Sequence, residues 1–178
     1  SLGGANKNLS LNSNSAAGTD TDFFANTNPT SSVFSVGAAS NTNRSSEGMI
    51  AYCFAEKKGF SKFGSYNGNG STDGPFIYTG FKPSFYLWKR TDSTSNWFIV
   101  DNKRDAFNET DVGLFPDSSA AESIGNGYNG VDFLSNGVKV RQGNSSINNS
   151  SGTYIYMAFA ENPFVANDSG TAVPVVAR

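Results

Sequence analysis

The sequence predicts an all-β protein, an antiparallel β-sandwich or jelly-roll-like fold built from an internal repeat of about 105 residues. Three observations lead to this prediction. Helical periodicity is almost absent, short alternating apolar runs lie between clusters of Asn, Gly and Ser, and two stretches of the chain share one pattern. Aromatic residues make up 13% of the chain and can supply the volume of a core.

The repeat is read from residues 43–56 and 148–161, which match at a constant offset of 105 residues. Both begin Asn-x-Ser-Ser and both end Phe-Ala-Glu. Weaker echoes, one residue out of step, link 15–17 to 119–121 and 34–36 to 138–140. Residues 63–104 have no counterpart in the first copy.

The repeat predicts a domain organisation. Residues 1–61 are expected to be the back half of a first unit and residues 62–164 a complete second unit. Residues 165–178 are expected to form an extended C-terminal arm. The alternative is that the two units merge into one β domain.

The strands are predicted from the alternating runs in order along the chain, with turn signals between them at 67–70, 73–74, 136–137 and 143–144. Residues 118–122 offer the one candidate for a helical turn. The predicted strands are 33–36, 49–56, 75–79, 84–89, 97–101, 137–141 and 153–161.

One hairpin has a predicted register. If Arg90 faces Asn96 across the polar loop 91–95, Trp88 lies opposite Phe98. The same register pairs Tyr86 with Val100, Leu87 with Ile99 and Lys89 with Trp97. Both faces of the hairpin are then apolar. One is expected to line the core, and the other needs a second sheet or a neighbouring chain, unless it is a binding patch.

The repeated strand supplies the predicted core residues, and these are Ile155, Met157 and Phe159 with Ile50, Tyr52 and Phe54 in the first copy. Cys53 is the only cysteine, so an intramolecular disulfide is excluded. Its counterpart is Ala158. This predicts a small buried side chain at position 53 rather than a reactive thiol.

Charge and hydropathy limit the classes of partner that the sequence predicts. Charged residues are 16% of the chain and the net charge is −2, so no basic footprint for nucleic acid is expected. No apolar run reaches membrane-spanning length, and the first residues show no signal-peptide pattern. The sequence therefore predicts neither nucleic-acid binding nor membrane insertion.

The absence of histidine bears on catalysis. It removes the commonest general base and, with a single cysteine, a structural zinc site. Carboxylate pairs are the remaining catalytic option, but a strand-end Glu beside Lys is more simply a surface ion pair. We therefore predict no enzyme. The carboxylates concerned are Glu56, Glu161, Asp101, Asp105 and Asp111.

A ligand site is predicted around the loop at 67–73. Sugar sites stack a ring on an aromatic face and surround it with polar groups, and the candidates are Tyr66, Asn67, Asn69, Asp73 and Tyr128. The alternative is that Asn and Gly are present because turns need them.

The same loop vaguely resembles a calcium loop, because oxygen-bearing side chains alternate along it. Thr72 stands where such a loop has Gly, however, and no bidentate Glu follows. A plain turn is favoured and no cofactor is predicted, with Ca²⁺ left open as an alternative.

Several strings together resemble a known family. They are residues 63–70, 80–85, 87–92, 96–97, 131–137 and 154–164. These resemble a repeat domain common in bacteriophage and marine viral genomes, and the first copy here lacks the front half of the unit. The resemblance implies a large virion-associated protein, such as a tail fibre or surface protein, located in the virion or outside the cell.

From the resemblance and the repeat we expect a virion structural module that self-assembles. Its expected partners are copies of itself or other virion proteins, with bacterial surface glycans as a further ligand. The alternative is a dedicated carbohydrate-binding, lectin-like domain for receptor recognition. A glycan-degrading enzyme is the least favoured reading.

Overall fold

A computed structural model describes residues 2–125 and 130–163. The predicted C-terminal arm therefore lies outside the described residues. The elements are β1 (Lys7–Asn8), β2 (Gly18–Thr19), α1 (Ser40–Asn43), β3 (Ser61–Asn67), β4 (Phe76–Tyr78), β5 (Pro83–Arg90), β6 (Trp97–Asp101), β7 (Gly113–Leu114), β8 (Val131–Leu134), β9 (Gly137–Val140), α2 (Ser145–Asn148) and β10 (Thr153–Ala160).

The strands form antiparallel sheets, so the all-β prediction is confirmed. A five-stranded sheet has the order β3-β10-β5-β6-β7, and a three-stranded sheet has the order β4-β9-β8. Strands β1 and β2 pair as a separate ribbon. Strand β10 lies between β3 and β5 and pairs with both along almost its whole length. The last strand of the described chain thus ties the larger sheet together.

The predicted hairpin register is confirmed. Strands β5 and β6 pair Trp88 with Phe98 and Tyr86 with Val100. The Trp88 and Phe98 rings stack with centroids 5.0 Å apart and planes 6° apart. Such cross-strand aromatic pairs stabilise a sheet beyond the area they bury.

The core lies on one face of the five-stranded sheet. Trp88, Tyr86 and Tyr154 are fully buried there, and the indole Nε1 of Trp88 donates to the Ser146 carbonyl at 3.1 Å. Strands β8 and β9 of the smaller sheet contribute to the same cluster with Val131, Phe133, Val138 and Val140. Side chains of both sheets are therefore buried in one cluster.

The predicted core face of β10 was wrong. The fully or nearly buried residues are Tyr154, Tyr156 and Ala158, whereas Ile155, Met157 and Phe159 are half-buried on the other face. The physical reason is the pairing with β5: Tyr156 lies opposite Trp88 and Ala158 opposite Tyr86, so these residues share the core side. Alternation alone does not choose between two apolar faces.

The second face of the sheet, called the outer face below, is covered in part by this chain's own N-terminal region. Residues 10–17 lie over one end, where the Trp97 Nε1 donates to the Ser10 carbonyl at 2.9 Å. At the other end the ring of Phe159 contacts those of Phe54 and Phe60, at centroid distances of 6.3 Å and 5.8 Å. The cover expected from a second sheet or another chain is thus supplied locally at both ends.

Two predicted strands, 33–36 and 49–56, are not strands. Ile50 and Tyr52, predicted to be buried, are 82% and 81% exposed, Phe54 is exposed as well, and the thiol of Cys53 is exposed. A strand needs a neighbour to satisfy its backbone. β10 occupies the place between β3 and β5, and no other described strand pairs with residues 49–56.

The one candidate for a helical turn, 118–122, is not helical. Asp117 accepts the Trp97 amide through its side chain at 3.0 Å, and Ser123 forms a bridge with Gly113, so the chain between them is held irregular. The single-turn helices lie at α1 and α2 instead. The Asn144 side chain caps α2 by accepting the Ser146 amide at 2.8 Å.

Candidate functional site

The predicted ligand loop begins at the end of β3 with Tyr66. Its hydroxyl donates to the Ile147 carbonyl at 2.8 Å, and its ring stacks on Tyr154 with centroids 4.8 Å apart. Burial raises the pKa of Tyr66 well above 10.0. One face of this ring and its hydroxyl are therefore occupied by the protein itself. Tyr66 is part of the packing around the core.

The loop is held by Asn148, the fully buried last residue of α2. Its side-chain oxygen accepts the Asn69 amide at 2.7 Å. Its nitrogen donates to the Asn69 side-chain oxygen at 2.9 Å and to the Ser71 carbonyl at 2.6 Å. A Cβ at Gly68 would lie 2.2 Å from the Asn149 carbonyl, so glycine is needed for this close approach. The loop is thus tightly packed on the turn after α2.

The remaining polar groups of the loop mostly serve its own turns. The Asn69 side chain donates to the Asp73 carbonyl at 3.0 Å and accepts the Ser71 amide at 3.0 Å. The carboxylate of Asp73 is 85% exposed and pairs with Lys139 at 2.6 Å, which lowers its pKa. Asn67 is exposed at the end of β3. Hydrogen-bonded turns of this kind explain the Asn and Ser content without a ligand.

The structure thus brings four of the five predicted site residues together, and Tyr128 lies outside the described residues. Asn67 and Asp73 keep exposed side chains, whereas Tyr66 and Asn69 are engaged internally. Within residues 2–125 and 130–163, no three acidic or cysteine side chains form a group that could hold a metal ion.

Four of the five carboxylates considered for catalysis are engaged in ion pairs or accept backbone amides. Glu161 pairs with Lys82 at 2.7 Å and accepts the Asn102 side-chain amide at 2.8 Å. The Lys82 ammonium lowers the pKa of Glu161, whereas a general acid at neutral pH needs a raised pKa. Glu56 pairs with Lys62. These contacts are those of surface ion pairs.

Asp101 accepts the amides of Lys103 and Arg104, each at 2.9 Å, and so closes the turn after β6. Asp105 accepts the Asp111 amide at 3.1 Å. Both carboxylates therefore organise backbone, which is the ordinary role of Asp in turns.

The feature that sequence reasoning misplaced is the exposed segment, residues 49–56. Its large apolar side chains are exposed, although the sequence pattern is that of a buried strand. The backbone N–H and C=O groups of residues 49–54 make no hydrogen bond to any described residue. An unpaired segment with this alternating apolar sequence is a template for strand pairing.

The turns that precede the exposed segment and β10 have the same local conformation. Helix α1 is followed by Ser46 at φ 63°, and α2 is followed by Ser151 at φ 63°. Each helix and each serine stands 105 residues from its counterpart. After the second turn the chain enters β10, and after the first it enters the exposed segment. The two stretches therefore differ after the turn: residues 153–160 pair with β3 and β5, whereas residues 49–56 pair with no described strand.

A cavity of about 520 Å³ lies between the exposed segment and the N-terminal region. It is lined by Leu2, Phe24, Phe34, Ala51, Tyr52 and Cys53 among others. Phe34 is one of the residues of the predicted 33–36 strand. The pocket surface is mostly apolar, and Lys7, Thr27, Asn28 and Ser35 are among its polar lining residues.

The fold and these surfaces define an antiparallel all-β protein with an unpaired apolar segment. The chain belongs to the family described as Domain of unknown function (DUF7483), whose profile matches residues 1–163 in one span. No curated protein and no solved structure matches it. Neither short helix in the described ranges has the length and apolarity to cross a membrane.

Proposed function

We propose that this protein is a structural and interaction module of a virion, a tail-fibre-like or surface-exposed β module that self-assembles. Its partners are copies of itself or other virion proteins, and its location is the virion or the extracellular space. The virion context rests on the sequence resemblance. The observation that carries self-assembly is the exposed segment, because a soluble protein rarely leaves such a run of apolar side chains uncovered.

We also propose that the two larger sheets form a β-sandwich and that the chain contains an internal repeat. The shared core cluster of both sheets supports the sandwich. The matching conformations at Ser46 and Ser151 support the repeat. On this view residues 1–61 are the back half of one unit, and residues 62–164 are a complete one.

Glycan recognition remains the alternative prediction, either as a second role of the module or as the role of a lectin-like domain. Tyr66 is a poor stacking platform because Tyr154 covers one face of its ring. The alternative therefore depends on Asn67, Asp73 and Tyr128. Glycan-array binding that is lost on Asp73→Ala would favour it.

The test of self-assembly is the mass of the full chain in solution, measured by light scattering over a wide concentration range. We expect a dimer or larger assembly that dissociates on dilution. A monomer at every concentration would contradict self-assembly of this chain. The expected assembly would be insensitive to chelators, because no metal group is part of the proposal.

A further inference from the structure

We propose that the exposed segment of one copy adds as a strand to the free edge of β3 in a second copy of this chain. The inference rests on the proposed self-assembly and names its surface. It joins two features of the described part of the chain: residues 49–54, whose backbone is unpaired, and the edge of β3 beyond Ser61, whose backbone is unpaired as well.

The free edge of β3 follows from its pairing with β10. Strand β3 is the first strand of the five-stranded sheet, and among the described residues its second edge is paired only at Ser61, with Lys57. The Ala160 amide donates to the Phe60 carbonyl at 2.9 Å, and the Gly68 amide donates to the Gly152 carbonyl at 2.8 Å. The backbone N–H and C=O groups of the even-numbered residues of β3 therefore point toward β10. The N–H and C=O groups of the odd-numbered residues Phe63, Ser65 and Asn67 point away from it.

The exposed segment has the sequence of the strand that β3 already accepts. Residues 50–56 match β10 and the residue after it at Ile, Phe, Ala and Glu in equivalent places. In β10 this sequence pairs antiparallel with β3 from Thr153 to Phe159. The second copy is therefore the partner that the sequence itself indicates, because it carries both the strand and its acceptor.

The chain's own β3 is not covered by its own exposed segment. Backbone pairing between β3 and the chain before it is limited to the Lys57–Ser61 bridge. The Ser61 hydroxyl also donates to the Ala55 carbonyl at 3.0 Å. The Phe54 ring then crosses onto the outer face, where it meets Phe63 with centroids 6.2 Å apart. No hydrogen bond joins the backbone of residues 49–53 to β3, so this backbone stays available to another molecule.

Two proline variants separate donor from acceptor. Tyr52→Pro removes a backbone donor in the middle of the exposed segment. Ser65→Pro removes an N–H that points away from β10, so it blocks the edge without breaking the ladder inside the molecule. Val36→Pro is the matched control, since Val36 is an exposed apolar residue in irregular backbone elsewhere.

Sedimentation of the full chain, with circular dichroism to verify folding, tests the proposal. Each blocking variant is expected to raise the dimer dissociation constant about tenfold or more, and the control variant to leave it unchanged. An equal mixture of the two blocking variants is expected to recover heterodimer, because the intact segment of one meets the intact edge of the other.

Hydrogen exchange gives a second readout that does not depend on the variants. Alternate amides of residues 49–54, and those of Phe63, Ser65 and Asn67, are expected to become protected as the wild-type concentration rises. If the wild type associates but neither proline variant weakens it, strand addition at β3 is wrong and self-assembly stands. If the wild type is a monomer throughout, both proposals fail.

Discussion

Asn148 and Asn69 are joined by two hydrogen bonds, one from the Asn69 amide at 2.7 Å and one to the Asn69 side-chain oxygen at 2.9 Å. This pair connects the end of α2 to the loop after β3, across 79 residues of chain. It explains why a loop rich in Asn and Gly is an ordered part of the fold.

Asn148→Ala should destabilise the protein by about 2–4 kcal/mol, because it leaves the Asn69 amide and the Ser71 carbonyl without their partner. Asn43→Ala is the matched control, because Asn43 is the last residue of α1 as Asn148 is of α2. Asn43 is exposed and its side chain donates one bond, to the Gly37 carbonyl, so a loss under about 1 kcal/mol is expected. Urea unfolding measures both. Equal losses would contradict the role assigned to Asn148.

The two faces of β5 should differ in their sensitivity to truncation. Trp88→Ala removes a fully buried ring that stacks on Phe98, and about 3–5 kcal/mol should be lost. Leu87→Ala acts on the half-buried outer face and should cost about 1–2 kcal/mol. Chemical denaturation of the two variants compares them directly. A larger loss at Leu87 would mean that the core lies on the outer face.

Alkaline pH should destabilise the fold through its buried tyrosines. Burial raises the pKa of Tyr66 and Tyr86 well above their ordinary value of 10.0. The folded state therefore holds these protons more tightly than the unfolded state does. Their contribution is fully present below pH 10.0 and is lost as the pH rises above it.

Thermal unfolding followed across this alkaline range, with tyrosinate absorbance recorded in parallel, measures the effect. Ionisation of the buried tyrosines is expected to accompany unfolding, and Tyr66→Phe should reduce the pH dependence. Ionisation of all tyrosines before any unfolding would show that Tyr66 and Tyr86 are accessible to solvent.

Acidic pH should weaken the tie between β10 and the start of β5. The Lys82 ammonium lowers the pKa of Glu161 below its ordinary value of 4.5. The stabilisation is therefore present above pH 4.5 and is lost as the pH falls through the lower, folded-state pKa. Glu161→Gln should unfold at a lower temperature than the wild type near neutral pH, and the two should converge in acid. A difference that persists at the lowest pH would assign the effect to packing.

Local sequence was sufficient to predict the register of the hairpin formed by β5 and β6. The short loop between them and the opposed aromatic residues fix a register that the structure confirms at the four pairs from Tyr86–Val100 to Lys89–Trp97. Strands β4, β9 and β10 were also predicted near their observed positions, because each is an alternating run beside a turn signal. Strands β3 and β8 were missed, since glycine and polar residues interrupt the apolar pattern of β3, and β8 is only 4 residues long.

The candidate site was predicted only as a location. From the sequence we predicted that Tyr66, Asn67, Asn69 and Asp73 lie close together. They do, at the end of β3 and in the loop that follows it. It did not reveal that Asn148 would use the polar groups of Asn69, because that contact joins residues far apart in the chain. Nor did it show Tyr66 stacked on Tyr154. Such long-range contacts are decided by sheet register and helix placement.

The sequence by itself determined the antiparallel all-β class, one hairpin register and the likeness between residues 43–56 and 148–161. Tertiary structure decided which face of β10 is buried, and that residues 49–56 stay unpaired. The physical reason is that a strand is defined by its neighbours. β10 lies between β3 and β5, whereas residues 49–56 pair with no strand of the described chain.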